Sequence, residues 1–369
     1  MTAEDPVPES AQSARRKRNL VILITVAAIV LLLAAAEGAM RLRQVLKYGS
    51  TGTLEDYYTV DPRINLRVPV ANLSSGRISI NSLGFRGPEI AMPKPPGTVR
   101  LAFLGASTTW CGEVSGNQTV WPHLVTEALS RTYPRARLDY VNGGVPGYTM
   151  ESILKNLQHR VGPLKPDVIV IYEVSNNLSG ELRELAAKRG IIGDAKVQEL
   201  TWPSRHSLLW YLVEKNLRVL AAQRAAQSVQ ARLEVDAGTL GDEFRNSLTQ
   251  LVVAARANAS LVALATFSIQ PRRDQSAEQQ MRASASAFFY APFVTTRLLI
   301  DGYERYNQIV REVARETGVL LIEGEHDIPG DSVHFTDTVH FSDAGSKAMA
   351  QRISRALASS PKLQELLRN

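Results

Sequence analysis

From residue 99 to the C-terminus, short apolar runs alternate with longer stretches whose apolar positions recur every three or four residues. The short runs fall at 99–104, 138–141, 168–172, 261–266 and 319–322 and are rich in Val, Ile and Leu. None alternates between apolar and polar, as a strand with one wet face would, so each predicts a strand covered on both sides. The helical stretches lie near 119–132, 150–161, 241–258, 298–317 and 343–358. Strands separated by helices predict an α/β domain over 99–369, with about five strands in a central parallel sheet and helices on both of its faces. The last helix carries its own start signal, Ser342 as a cap and Asp343 in the positively polarised first turn.

Two segments interrupt this rhythm. Residues 179–240 read as a helical insertion, with LLWYLV at 208–213 and an Ala/Gln/Arg-rich continuation. Its apolar part fits a packed helical pair, or else a lid or a flap leaning on a membrane. Residues 269–296 form a long connection, Gln/Arg-rich and then aromatic at Phe288, Phe289, Tyr290 and Phe293, of the kind that lines a substrate groove. Ahead of the domain, 37–60 reads as a tether and 61–98 as a lead-in packed on it. The lead-in holds a short strand candidate at 77–80, the turn signal NSLGFRGPE at 81–89 and the Pro-rich MPKPPG at 92–97.

The longest apolar run lies outside the domain. LVILITVAAIVLLLAAA, residues 20–36, carries no charge. It is at the short end for a bilayer-spanning helix and at the long end for a signal-peptide core, and Ala34, Ala35 and Ala36 would suit a signal peptidase. Its length and purity favour an uncleaved anchor. Arg15, Arg16, Lys17 and Arg18 just before it place the N-terminus in the cytoplasm, although Arg41, Arg43 and Lys47 follow on the other side. The expectation is a single-pass inner-membrane protein with a disordered basic tail over 1–19 and a periplasmic domain.

Composition alters this picture little. At 44% hydrophobic and 21% charged the chain is ordinary globular material. The net charge is +6, and the four cations at 15–18 supply most of it. The remainder is near balance, so nothing points to nucleic acid as a partner. Cys111 is the only cysteine, which excludes an intrachain disulfide and a Cys-pair metal site.

Candidate chemistry starts at FLGASTTW, residues 103–110. A buried strand there empties into a turn of small residues holding Ser107, and ligands of open parallel sheets bind outside the carboxyl ends of strands. Ser107 is a nucleophile or a plain helix N-cap. A nucleophilic serine needs a base, an orienter for the base, and donors for an oxyanion. The segment DSVHFTDTVHFSDAG, 331–345, offers Asp-x-x-His twice, as Asp331/His334 and Asp337/His340. Residues three apart in a turn can point the same way, so each carboxylate could orient its imidazole. On the residues alone both pairs stay open. The crowd of Glu323, Glu325, His326, Asp327 and these two pairs could also bind a divalent ion, but its spacing fits no zinc signature. Cys111 reads as buried packing.

Four separated blocks here resemble those of the SGNH (GDSL-type) hydrolases, over about 99–358. They are GASTT with Ser107, NGGVPGYT at 142–149 with Gly147, VSNN at 174–177 with Asn176, and DTVHFSDAG at 337–345 with Asp337 and His340. The resemblance implies a three-layer α/β/α, flavodoxin-like fold and a serine esterase acting on acetyl or short acyl esters. In that reading Ser107 attacks, His340 takes its proton and Asp337 holds the imidazole. The Ser107 and Gly147 amides with the Asn176 side chain would form the oxyanion hole, and no cofactor or metal is required. The substrate would be an acyl ester, with acylated glycan or lipid as candidates. An anchored domain with the same site could instead act as an O-acyltransferase or deacetylase on cell-surface polysaccharide. A non-catalytic glycan-binding or scaffold domain is the alternative outside catalysis. Three positions depart from the pattern: Val174 stands where Gly is usual, Asn177 where Asp is usual, and Ala106 where Asp is frequent. NSLGFRGPE also resembles the lead-in of membrane-anchored members, without an assignable chemical role.

Overall fold

The computed structural model describes residues 11–48, 57–192, 201–228 and 232–368. The chain divides into two compact units, one of residues 1–52 with 198–217 and the other of 53–197 with 218–369.

The larger unit is built on a five-stranded parallel sheet. Its strands are β1 (Thr98–Gly105), β2 (Arg137–Asn142), β3 (Val168–Tyr172), β4 (Leu261–Ala265) and β5 (Leu320–Ile322). Each lies within one residue of its expected position. The spatial order is 2-1-3-4-5, the flavodoxin-like order, with its reversal between β1 and β3. The absence of alternation has the expected cause: every residue of β3 and β4 is buried, and Leu101 to Leu104 have no accessible surface.

The main helices around it are α1 (Trp121–Thr132), α2 (Met150–Asn156), α3 (Ser175–Lys188), α4 (Asp242–Asn258), α5 (Thr296–Thr317) and α6 (Asp343–Ala358). α1 packs against α6, while α4 packs against α2 and α5, which gives the layers on either side of the sheet. Ser342 does cap α6, its Oγ accepting from the Gly345 N–H at 3.2 Å. Edge-on contacts of Trp121 with Phe103 and Tyr172 tie α1 to the strands beneath it. The lead-in packs on this unit through buried Phe85 and Ile90. Two antiparallel pairs lie here, Tyr58–Asp61 with Leu66–Pro69 and Ser74–Ser75 with Ile78–Ser79, so residues 58–60 are strand where a tether is expected. The 269–296 connection is not all loop, since it holds short helices at Ala277–Ala283 and Ala285–Tyr290.

The insertion starts later than the sequence suggests. Residues 179–188 are the body of α3, whose Leu178, Leu182 and Ala186 are buried in the domain core. The polar start of α3, SNNLSGE, hides its helical period. In the smaller unit the apolar run belongs to one helix, Ala11–Tyr48. Residues 11–19 are therefore helical where a disordered tail is expected, and 37–48 are helical where a tether is expected. Residues 1–10, and 49–56 of the tether, lie outside the described residues. Segment 13–43 is long and apolar enough to cross a membrane and equally fits a signal sequence; its most apolar stretch is entirely unburied. Trp202–His206 and the first half of the helix Leu208–Ser228 belong to this unit.

Candidate active site

Ser107 opens a single helical turn, Ser107–Trp110, at the carboxyl end of β1. Two glycines allow that turn to sit so close to the sheet. A Cβ on Gly105 would lie 2.4 Å from the Tyr172 carbonyl oxygen and closer still to Thr109 Oγ1. One on Gly144 would lie 2.5 Å from the Trp110 nitrogen. The turn ends at Cys111 in the left-handed region (φ 58°). Cys111 is buried, and burial pushes its thiol up to about 12, which suits packing rather than nucleophilic attack.

What holds the end of this turn is a residue the sequence reading left without a role. Arg86, in NSLGFRGPE, has no accessible surface. Its Nη1 donates to the carbonyls of Trp110 (2.9 Å) and Cys111, its Nε to Asn117 Oδ1 (2.9 Å) and its Nη2 to the Arg77 carbonyl. The guanidinium thus satisfies carbonyls that the helical turn leaves orphaned. The turn that carries Arg86 is closed by Asn81, whose Oδ1 accepts from the Leu83 and Phe85 amides.

His340 Nε2 lies 2.9 Å from Ser107 Oγ, and His340 Nδ1 lies 2.7 Å from Asp337 Oδ2. The other carboxylate oxygen, Oδ1, accepts from the Val339 and His340 amides at 2.9 and 2.8 Å. Burial raises the Asp337 carboxyl, but these bonds and the imidazole outweigh it and hold the group below its ordinary range. Burial likewise lowers His340, yet the bond to Asp337 and the nearby acids Glu113 and Asp337 lift it above its ordinary value. The arrangement is an ordered line of hydroxyl, imidazole and carboxylate through which a proton can leave the hydroxyl.

The second pair folds alike but stands apart from Ser107 in its bonds. His334 Nδ1 meets Asp331 Oδ1 at 2.8 Å, and the same oxygen accepts from the Val333 and His334 amides. Phe335 and Phe341, one from each DxVHF repeat, pair as a β-bridge. Two further acids of that region, Glu323 and Glu325, are engaged by Arg311. Among the described residues no three His, Cys, Asp or Glu side chains converge as a metal site.

Blocks two and three meet the first through side-chain amides. Asn142 donates to the Thr109 carbonyl and accepts from the Gly144 amide, both at 3.0 Å. Asn176 Nδ2 donates to the Tyr148 carbonyl at 2.8 Å, which brings it beside Gly147. Gly147 is exposed and left-handed (φ 85°), a conformation costly to a residue with a Cβ. Asn177 Oδ1 accepts from the Met150 amide at 3.0 Å and so caps α2, whose own cap residue Thr149 supplies no side-chain bond. Val174 is fully buried among the core side chains, at φ −146°. Behind them sits Glu173, 3% exposed, its Oε1 accepting from the main-chain N–H of Asn176 at 2.7 Å. Burial pushes its carboxyl up to about 8 against the pull of the first amides of α3 and of His340.

Residues 103–348 match the sequence model of the GDSL-like lipase/acylhydrolase family. No curated protein sequence matches the chain. Among solved structures, the chain is similar to an acetylxylan esterase from Geobacillus stearothermophilus, at 18% identity over 70% of this chain and 93% of that one, with a TM-score of 0.42. It is similar in the same degree to an α/β hydrolase enzyme from the metagenome of Lake Arreo, Spain, at 18% identity over 70% and 94% and a TM-score of 0.42. With two thirds of its length matched and the 2-1-3-4-5 sheet beneath the match, the chain belongs to the GDSL-like lipase/acylhydrolase family, a family of hydrolases acting on ester bonds.

Proposed function

We propose that this protein is a serine esterase that cleaves acetyl or short acyl esters through Ser107, His340 and Asp337. The observation that carries the reading is the unbroken line from Ser107 Oγ to His340 Nε2 and from His340 Nδ1 to Asp337 Oδ2. His340 takes the proton as Ser107 attacks the acyl carbonyl, forming the tetrahedral intermediate. The main-chain N–H groups of Ser107 and Gly147 and the second N–H of the Asn176 amide receive its negative oxygen, which lowers the barrier by several kcal/mol. The protonated imidazole then gives its proton to the departing alcohol. Water, activated by the same imidazole, releases the acid and restores Ser107. Every role falls to a side chain or amide of this chain, so the reading needs no cofactor. The domain over 99–369 is held to a membrane by the apolar run at 20–36, with the N-terminus cytoplasmic and the site in the periplasm, where acylated glycans or lipids are the substrates within reach. The test uses the full-length protein and its Ser107→Ala variant on 4-nitrophenyl acetate, with a fluorophosphonate as the labelling reagent. The reading expects labelling at Ser107 and near-complete loss of turnover in the variant. Equal rates, or no label on Ser107, would overturn it.

A further inference from the structure

The smaller unit contains a second apolar surface beside the N-terminal helix. Glu37, the first residue after the apolar run, reaches across to the start of the helix Leu208–Ser228. Its carboxylate accepts from the Leu208 amide (3.0 Å), the Leu209 amide (2.8 Å) and Ser207 Oγ (2.9 Å), and pairs with Arg41 at 2.6 Å. Arg41 in turn donates to the His206 carbonyl at 3.2 Å. An acidic side chain is thus spent as the N-cap of a helix 170 residues away, and it fixes that helix at the level where the apolar run ends.

The helix so held is apolar on its outward side. Trp210, Val213 and Leu217 are spaced by three and four residues, so they share one face, and they are 49%, 41% and 60% exposed. Trp202, on the preceding short helix, is 73% exposed. In the N-terminal helix Leu20 to Leu33 and then Leu42, Val45 and Leu46 are exposed as well. Charge at this level is mostly positive: Arg41, Arg43, Arg205 and Lys215 against Glu37 and Glu214. Exposed Trp beside a cationic rim, continuous with a helix long enough to cross a bilayer, is the composition of a membrane–water interface.

We propose that residues 202–217 form an interfacial element that lies on the bilayer, with Trp202, Trp210, Val213 and Leu217 in the headgroup layer and the cations on anionic lipid. The proposal rests on the anchor reading of 20–36 and is independent of the esterase chemistry. In it, the insertion gives the anchor a second point of attachment and so restrains its rotation at the membrane surface.

The four tryptophans supply the test, because Trp110 and Trp121 are buried. Full-length protein is reconstituted into phosphatidylcholine/phosphatidylglycerol vesicles, plain or brominated near the top of the acyl chains, and resistance to alkaline extraction is scored separately. About half of the tryptophan emission should be lost to the brominated lipid, since two of four indoles face it. In the Trp202→Phe/Trp210→Phe variant that loss should vanish. Equal emission from both vesicle types in extraction-resistant protein would overturn the interfacial element and leave the anchor standing; extraction of the protein would overturn the anchor itself. A Trp210→Cys variant that forms disulfide dimers without quenching would assign the face to a second copy and overturn the proposal.

Discussion

Replacing Glu173 by Gln should free the protein of a stability loss that wild type suffers as pH rises. Glu173 stands at the foot of α3 with almost no accessible surface, and its carboxyl is raised from 4.5 to about 8 by burial, opposed by the Asn176 amide, His340 and the Val174 and Ser175 amides. His340, Tyr303 and Tyr172 face it. The sign follows from linkage: an acid whose folded pKa lies above its unfolded one stabilises fully below pH 4.5, loses that contribution as pH climbs towards 8, and changes no further above it. Each unit of difference is worth about 1.4 kcal/mol, so the whole window is on the order of 5 kcal/mol, and the part between pH 6 and 9 is about 3 kcal/mol. Gln has the shape of the protonated form and keeps an oxygen for the Asn176 amide, but it cannot ionise. Urea unfolding of both proteins at pH 6 and pH 9, followed by tryptophan emission, measures the difference. The Gln variant should gain about 3 kcal/mol on wild type between the two conditions. A gap that stays constant from pH 6 to pH 9 would refute the assignment of a protonated, buried Glu173.

Two further substitutions test the site and its support. Asp337→Asn removes the charge that holds His340 above its ordinary value, so kcat/KM on 4-nitrophenyl acetate should fall by roughly 100- to 10,000-fold and the acidic limb of the pH profile should move to lower pH. A loss under tenfold, with the limb unmoved, would contradict that role. Arg86→Met strips bonds from the Trp110, Cys111 and Arg77 carbonyls, all facing a fully buried side chain, and should cost about 3 kcal/mol or more in urea unfolding. Wild-type stability in that variant would show that Arg86 does not hold the Ser107 turn.

The sheet was legible because a strand buried on both faces has a short, continuous apolar signature, and the five runs that carry it alternate with helical stretches. All five strands sit within one residue of the runs that announced them. α6 was equally legible, because its cap lies in the sequence as Ser342 and Asp343. α3 was not, since its first turn is polar and its apolar residues, Leu178, Leu182 and Ala186, are few. The N-terminal helix overran its apolar core in both directions, because composition marks where a helix is greasy and not where its hydrogen bonds stop. The pairing of 198–217 with residues 1–52 was illegible for a plainer reason: it depends on Glu37 meeting amides 171 and 172 residues away. Arg86 belongs to the same class, a buried charge whose partners are carbonyls and leave no mark in sequence.

The departures at Val174 and Asn177 acquire a physical meaning from the structure. Glycine is needed where φ is positive or a Cβ would collide; position 174 has φ −146°, and its side chain has a place in the core. At 177 what matters is an acceptor for the Met150 amide, and an amide oxygen serves as well as a carboxylate would. The same solution recurs around the site. Asn142 joins block two to the Ser107 turn, Asn156 donates to the Gly143 carbonyl, Asn176 holds the Tyr148 carbonyl, and Asn177 caps α2. Neutral amides both donate and accept, so they can satisfy buried backbone groups without placing a charge next to the oxyanion of the proposed mechanism. On that argument an Asp at 177 would supply the same bond and add a negative charge a single residue from Asn176. Glu173 obeys the same rule in another way, by keeping its proton below about pH 8.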